Sequence, residues 1–134
     1  MIRILIIEGQ GKTRRSLHSI LKREGFGICE GTGWDGALEA CEKSAYDLFV
    51  VDLDTKPSEG DEILKKIKRI SLGAEIVAIA SRSRCDAKQM NSYGIYDCLH
   101  KPFRQKEVID LVRKALEKKQ LADKVRKLEK IIDS

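Results

Sequence analysis

The 134-residue sequence predicts an α/β fold in which five parallel strands are covered on both faces by helices. Short apolar runs alternate with amphipathic segments, polar residues do not interrupt the strongest runs, and the connections between them are short. Uninterrupted apolar strands are typical of a parallel sheet that is buried on both faces. Regular alternation of strand and helix is typical of a parallel α/β domain.

The first half of the chain supplies two strands and two helices. The first strand is the run Ile4-Leu5-Ile6-Ile7, which is fully apolar and rich in β-branched residues. A helix is expected over Lys12–Glu24, because apolar residues recur there at helical spacing and Gly25 follows to end it. A weaker strand is expected at Gly27–Glu30 and a second helix at Trp34–Lys43.

The second half repeats the same alternation. The third strand is expected at Asp47–Asp52 and the third helix at Glu59–Ile70, where isoleucine and leucine form one apolar stripe. A fourth strand is expected at Glu75–Ala80, a short fourth helix at Asp86–Ser92, and a fifth strand at Ile95–Leu99.

A last helix begins near Arg104 and has two parts. Its first part carries a broad apolar face suited to packing on the sheet, formed by Val108, Leu111, Val112, Ala115 and Leu116. Its second part spaces apolar residues by four, three and four positions, at Leu121, Val125, Leu128 and Ile132. This two-heptad stripe favours a parallel dimer, although a chance stripe on a frayed helix would look the same. We therefore expect a domain over residues 1–117 and a helical extension, a possible coiled-coil linker, over 118–134.

Composition narrows the possible classes of protein. No apolar run approaches the roughly 18 residues that a membrane helix needs, so a cytoplasmic protein without membrane contact is expected. Residues 101–134 hold 11 basic and 6 acidic side chains, which accounts for the whole net charge of +5. This excess lacks interleaved aromatic residues, so direct nucleic-acid binding is not expected. Four scattered cysteines are expected to be reduced, and two histidines are too few to favour a zinc site.

Asp52 ends the third apolar run, at the edge where an open α/β sheet places its chemistry. Several other segments keep a fixed order and spacing around it: Ile4-Leu5-Ile6-Ile7-Glu8, Gly33-Trp34-Asp35-Gly36-Ala37-Leu38-Glu39, Asp47-Leu48-Phe49-Val50-Val51-Asp52, Gly60 and Tyr96-Asp97-Cys98-Leu99-His100-Lys101-Pro102-Phe103. Together they resemble the receiver domain of two-component response regulators, the CheY-like superfamily, over residues 2–117. The resemblance implies a three-layer flavodoxin-like (βα)5 fold with strand order 2-1-3-4-5.

The resemblance also implies a reaction. Asp52 would accept a phosphoryl group from a sensor histidine kinase, and the domain would signal through its fourth helix, fifth strand and fifth helix. A carboxylate that attacks a phosphoryl group meets strong negative charge, which a divalent cation and a lysine can neutralise. Lys101 would be that lysine, held by a cis bond to Pro102. Magnesium would be bound by Glu8, Asp52 and the backbone carbonyl of Asp54, whose side chain could also turn inward.

The sequence departs from the pattern of this family at several helper positions. Gly9 replaces the second of two acidic residues, so the magnesium site is expected to be weakened. The switch hydroxyl falls on Ala80, with Ser81 next to it as a substitute. The switch aromatic falls on Cys98, and Tyr96 is a possible shifted replacement on the same strand face.

Two other functions remain open at this point. The absence of these helper residues is also expected of a pseudo-receiver, which is a protein-interaction or dimerisation module that is not phosphorylated. Asp52-Leu53-Asp54-Thr55 resembles, with a mismatch at Thr55 and Lys56, the nucleophile motif of haloacid-dehalogenase-like phosphatases. In the favoured interpretation the chain is no enzyme beyond self-catalysed phosphoryl transfer to Asp52. An output domain or effector outside the chain would then make any contact with nucleic acid.

Overall fold

Five parallel strands form the sheet of the computed structural model, which describes residues 1–133. Their order is β2-β1-β3-β4-β5, as expected. The strands are β1 Arg3–Ile7, β2 Ile28–Thr32, β3 Leu48–Asp52, β4 Glu75–Ala80 and β5 Asp97–His100. All five residues of the central strand β3 are buried, so Asp52 ends the most deeply covered strand of the sheet.

Five helices connect and follow the strands: α1 Lys12–Glu24, α2 Ala37–Lys43, α3 Gly60–Ile70, α4 Ala87–Tyr93 and α5 Gln105–Asp133. Gly25 ends α1 in the left-handed conformation (φ 77°), and its N–H donates to the carbonyls of Leu21 and Lys22. The second helix was expected to begin at Trp34, but Trp34–Gly36 form a 3₁₀ turn that leads into it.

The two faces of the sheet bury separate apolar clusters. Alternation along β1 sends Ile4 and Ile6 to one face and Leu5 and Ile7 to the other. The first face packs against α1 and α5, and the second against α2 and α3. A parallel sheet covered in this way leaves only its strand ends for chemistry, which is where Asp52 lies.

The first part of α5 packs on the sheet as expected, with Val108, Val112, Ala115 and Leu116 buried. The helix then continues without a break to Asp133. Two ion pairs hold its middle to the sheet: Lys118 Nζ lies 3.1 Å from Glu75, and Lys119 Nζ lies 3.2 Å from Asp47. Beyond these pairs the predicted stripe is exposed, by 47% to 82%, at Leu121, Val125, Leu128 and Ile132.

The cysteines differ from the expectation of four reduced thiols. Cys85 and Cys98 form a disulfide, and their Cα atoms are 6.2 Å apart. The prediction was wrong for this pair because neither local spacing nor composition shows that the segment after β4 folds back beside β5. Cys29 and Cys41 are free, as expected.

Candidate functional site

Asp52 and Lys101 meet at the carboxyl edge of the sheet. The Asp52 side chain is fully buried, and Lys101 Nζ donates a 2.7 Å hydrogen bond to its Oδ2. The other carboxylate oxygen, Oδ1, accepts a 2.9 Å hydrogen bond from the backbone N–H of Asp54. The Lys101–Pro102 bond is cis, as expected, and the Lys101 backbone N–H donates to the carbonyl of Ala80. The structure thus joins the ends of β3, β4 and β5 around one carboxylate.

The Asp54 side chain turns inward, toward Lys101 and Ser81. Its Oδ2 lies 3.3 Å from Lys101 Nζ and accepts a 3.0 Å hydrogen bond from the backbone N–H of Ser81, and its Oδ1 accepts a 3.0 Å hydrogen bond from the Ser81 hydroxyl. Burial opposes the charge of Asp54, but the bonds from Ser81 and Lys101 outweigh it and lower its pKa. Burial likewise opposes the charge of Lys101, yet its bonds to Asp52 and Asp54 raise its pKa. Asp54 and Lys101 are therefore both charged at neutral pH.

The two predicted switch positions differ in what they contact. Ala80 is the last residue of β4 and is completely buried. Ser81 directly follows the strand, and its hydroxyl is committed to Asp54 and lies 3.3 Å from the hydroxyl of Ser83. Of the two predicted switch residues, Ser81 therefore supplies the hydroxyl, and Asp54 and Lys101 link this hydroxyl to Asp52.

The Glu8 side chain points toward the start of α1. Its buried carboxylate accepts hydrogen bonds from the backbone N–H groups of Gln10, Gly11 (2.6 Å), Thr13 (2.8 Å) and Arg14 (3.1 Å). Burial opposes its charge, but these four donors outweigh burial and lower its pKa. A carboxylate offers about four acceptor sites. The four backbone N–H donors therefore occupy all the acceptor sites of the Glu8 carboxylate.

Gly9 lies against Thr55, a residue that sequence reasoning missed. The Gly9 N–H donates to Thr55 Oγ1 (2.9 Å), which also accepts from Trp34 Nε1 (3.2 Å) and donates to the Asp52 carbonyl (3.2 Å). A Cβ atom at Gly9 would lie 3.2 Å from Thr55 Cβ, a tight contact. Thr55 therefore occupies the space into which a side chain at position 9 would project. The one signal in the sequence was a hydroxyl residue three positions after Asp52.

The donor set does not fit a magnesium ion. Of the two predicted carboxylate ligands, Glu8 is saturated by backbone N–H groups and Asp52 is paired with Lys101. The Asp54 side chain, which could also turn toward a cation, is paired with Lys101 as well. Within residues 1–133, no group of three or more His, Cys, Asp or Glu side chains is placed to hold a metal ion. Magnesium prefers several carboxylate or carbonyl oxygens together with water. The magnesium site is thus weakened further in the structure than the replacement of an acidic residue by Gly9 indicated.

The residues at the predicted aromatic switch lie in different surroundings. Cys98 lies in β5, packs against the cluster under α2 and α3, and is bonded to Cys85. Tyr96 precedes β5, and its ring centroid lies 5.4 Å from Lys118 Nζ of α5. The shared strand face expected for these two residues is not seen, because the Cys98 side chain packs under α2 and α3, whereas the Tyr96 ring lies beside α5.

No helix among residues 1–133 is both long and apolar enough to cross a membrane.

Comparison with known proteins identifies one family. The family model described as "Response regulator receiver domain" matches residues 4–113. Curated relatives include the transcriptional regulatory protein ResD of Bacillus subtilis (28% identical over 107 residues) and the phosphate regulon regulator PhoB of Escherichia coli (26% over 110 residues). Each match covers 80% of this chain, and 45% and 48% of those proteins, respectively. The chain thus spans about half the length of the curated relatives that it matches.

Solved structures agree with this assignment. NtrX from Brucella abortus superposes with a TM-score of 0.84 and 27% identity, over 100% of this chain and 30% of that one. A CheY-like receiver domain protein from Methanospirillum hungatei has a TM-score of 0.78 at 19% identity, over 91% of this chain and 98% of that one, which supports the fold alone. The chain belongs to the response regulator receiver domain family and is a receiver module of phosphorelay signalling.

Proposed function

We propose that Asp52 is the phosphoacceptor of this receiver and that a sensor histidine kinase is the donor. The 2.7 Å contact between Lys101 Nζ and Asp52 at the carboxyl end of β3 carries this proposal. In the reaction an Asp52 oxygen bonds to phosphorus while the phosphorus–nitrogen bond of a phosphohistidine breaks, and the donor histidine leaves with that electron pair. Lys101 stabilises the charge on the transferring group.

Access to Asp52 requires movement of the surrounding loops. Its side chain has no exposed surface, whereas the Lys101 side chain is 28% exposed. A phosphoryl donor therefore approaches from the side of Lys101 and displaces part of the contacts around it. We expect slow phosphorylation, limited by this opening.

Receiver domains are signalling modules that generally bind Mg²⁺ at the phosphorylation site, partner with histidine kinases and carry output domains. In this chain Lys101 is the cationic side chain found against Asp52 among residues 1–133. The Glu8 carboxylate is occupied by backbone N–H groups, and Gly9 has no side chain that could bind a metal ion. We propose that phosphorylation of this receiver depends on Lys101 and only weakly on magnesium.

Incubation with acetyl phosphate, followed by intact-mass measurement, tests the phosphoacceptor. We expect one phosphoryl adduct on the natural protein, both with magnesium and with a chelator, and none on Asp52→Asn. Asp35→Asn, an exposed aspartate after β2, is the matched control and should keep the adduct. An adduct on Asp52→Asn, or none on the natural protein, contradicts the assignment. If the natural protein forms no adduct, the domain is an interaction module that is not phosphorylated. Steady release of phosphate from acetyl phosphate would instead indicate a phosphatase.

We propose that the α4-β5-α5 surface passes the signal to an output domain or effector outside residues 1–134, in the cytoplasm. ResD and PhoB, which this chain matches, are named as transcriptional regulatory proteins and are about twice as long. Contact with nucleic acid is therefore proposed only through such a domain.

We further propose that residues 118–134, of which Ser134 lies outside the described part of the chain, form a coiled-coil extension that joins two copies of the chain. Leu121 and Leu128 would take one core position, and Val125 and Ile132 the other. The exposure of all four side chains supports this proposal, since a stripe left in water stabilises the helix only when a partner covers it.

Replacing Leu121 and Leu128 by glutamate is expected to weaken self-association by about tenfold or more, because two buried leucines are each worth roughly 1.5–3 kcal/mol. Sedimentation equilibrium measures the effect. Lys127→Glu, outside the stripe, is the control and should associate like the natural chain. A natural chain that stays monomeric at every concentration would rule out the dimer.

A further inference from the structure

The disulfide between Cys85 and Cys98 crosses the part of the fold that joins β4 to β5. Cys85 follows the 3₁₀ turn Arg82–Arg84 and directly precedes Asp86, the residue that caps α4. Cys98 is the second residue of β5 and pairs with Ala78 of β4. The bond thus fixes the start of α4 to the sheet.

Both ends of the disulfide lie close in sequence to residues of the phosphorylation site. Cys85 is four residues after Ser81, and Cys98 is three residues before Lys101. Ser81 and Lys101 both hold Asp54, at 3.0 Å and 3.3 Å. The two chain segments that converge on Asp54 are therefore joined a second time by the disulfide.

Apart from this bond, α4 is weakly attached to the domain. None of its residues Ala87–Tyr93 is fully buried, and only Met90 and Tyr93 pack partly against the core. Its other contacts include the Asp86 cap on the Lys88 N–H (2.9 Å) and Lys56 Nζ, 5.5 Å from the Tyr93 ring centroid. An element with so few buried contacts opens locally at low cost unless it is tethered.

We propose that Cys85 and Cys98 are a reversible thiol–disulfide site whose oxidation state sets the mobility of α4 and of the segment that carries Ser81. Oxidation ties α4 to β5, and reduction releases it. The release alters the signalling surface, which includes α4 and β5, and loosens the hold of Ser81 on Asp54. The site would couple the redox poise of the surroundings to a receiver; its effect on Asp52 chemistry rests on the proposed phosphorylation.

The co-reactant is a small-molecule disulfide, such as oxidised glutathione. One protein thiolate attacks a sulfur of that disulfide, forms a mixed disulfide and releases one small thiol; the second protein thiolate then displaces the other. The two protein thiols lose two electrons and two protons, and the two released small thiols gain them. Reduction is the reverse reaction.

The other two cysteines are poor competitors for this chemistry. Burial raises the pKa of Cys29 to about 11, and burial also raises the pKa of the enclosed Cys41. A thiol that stays protonated is a weak nucleophile. Cys85 and Cys98 are both half-buried, so a small disulfide can reach them.

The first experiment maps the site on the full chain. The protein is equilibrated with defined ratios of oxidised to reduced glutathione, quenched in acid, alkylated under denaturing conditions and mapped by peptide mass. We expect Cys85 and Cys98 to lose alkylation together over one range of ratios, while Cys29 and Cys41 stay alkylated. Independent titration of the two cysteines, or no change at any ratio, overturns the proposal.

The second experiment measures backbone hydrogen exchange of the oxidised and reduced protein. Reduction should raise exchange over residues 82–94 by about tenfold or more and leave β1 and β3 unchanged. The double variant Cys85→Ser, Cys98→Ser should match the reduced protein, and Cys29→Ser should still respond to reduction. Equal exchange over residues 82–94 in both states overturns the mobility claim, whether or not Asp52 is phosphorylated.

The acetyl phosphate reaction, repeated on the oxidised and reduced forms, separates this inference from the proposed function. A difference of about threefold or more in the rate of adduct formation supports the link to Asp52. Equal rates overturn that link. Absence of any adduct in both forms refutes the proposed function but not a change in exchange at α4.

Discussion

Replacing Glu8 by alanine is expected to lower the free energy of unfolding by about 3 kcal/mol, well above the roughly 1 kcal/mol of an ordinary helix cap. Glu8 is buried and accepts hydrogen bonds from four backbone N–H groups at the start of α1. Alanine removes the charge that these N–H groups and the helix dipole stabilise. It also leaves donors that only entering water can satisfy. Urea unfolding at neutral pH measures the loss.

Acid should reproduce part of this effect in the natural protein. The pKa of Glu8 is lowered from its ordinary value of 4.5, because four N–H donors outweigh the opposing effect of burial. A lowered pKa means that Glu8 stabilises the fold fully above about pH 4.5, and that this contribution is lost as the pH falls through the folded-state pKa. Glu8→Gln keeps the shape but cannot titrate, so the acid decline should be shallower in this variant. Glu24→Gln, at the exposed end of α1, is the control. A Glu8→Ala protein as stable as the natural one would contradict the capping role.

Replacing Lys101 by methionine should slow phosphoryl transfer to Asp52 by about 100- to 1,000-fold, the usual cost of losing one preorganised charge-stabilising group. Lys101 is the cationic side chain that contacts both Asp52 and Asp54 among residues 1–133. Since no group of carboxylates among residues 1–133 is placed to hold a divalent cation, added magnesium should restore little of the rate. The rate is measured by intact mass at a fixed acetyl phosphate concentration.

Two controls separate chemistry from folding for this variant. Lys56→Met removes a lysine that pairs with Asp61 rather than Asp52, and it should react at the natural rate. Lys101→Arg keeps the charge but changes its geometry, so an intermediate rate is expected. Thermal unfolding shows whether Lys101→Met is folded. A folded Lys101→Met protein that reacts as fast as the natural one would remove Lys101 from the mechanism.

The sheet could be predicted from the sequence because its strands are short apolar runs that few other structures accommodate. The run Ile4–Ile7 and the strand Glu75–Ala80 were identified almost residue by residue. Boundaries were less accurate at Trp34, where three residues form a 3₁₀ turn before α2. Periodicity cannot distinguish a 3₁₀ entry from the first turn of an α-helix.

The site was only partly predictable, because contacts between strand ends depend on side-chain direction. The pairing of Asp52 with Lys101 followed from the family pattern, and it is present. The direction of Glu8 did not follow, since it depends on four N–H groups that converge only once α1 begins at Lys12. The Cys85–Cys98 bond likewise depends on a chain reversal that has no local signature. The boundary at residue 117 and the dimer stay predictions.

The ion pairs of α5 with Asp47 and Glu75 attach the middle of this helix to the sheet. Asp47 and Glu75 lie where β3 and β4 begin, at the edge of the sheet opposite to Asp52. The helix starts just after Lys101 and passes this far edge at Lys119, about 20 Å along its axis. It contains neither glycine nor proline, so it has no built-in hinge. A small tilt at the start of α5, with the salt bridges as the pivot, would thus move the distal end of the helix by about the same distance in the opposite direction, because the two arms, from Gln105 to Lys119 and from Lys119 to Asp133, are equally long.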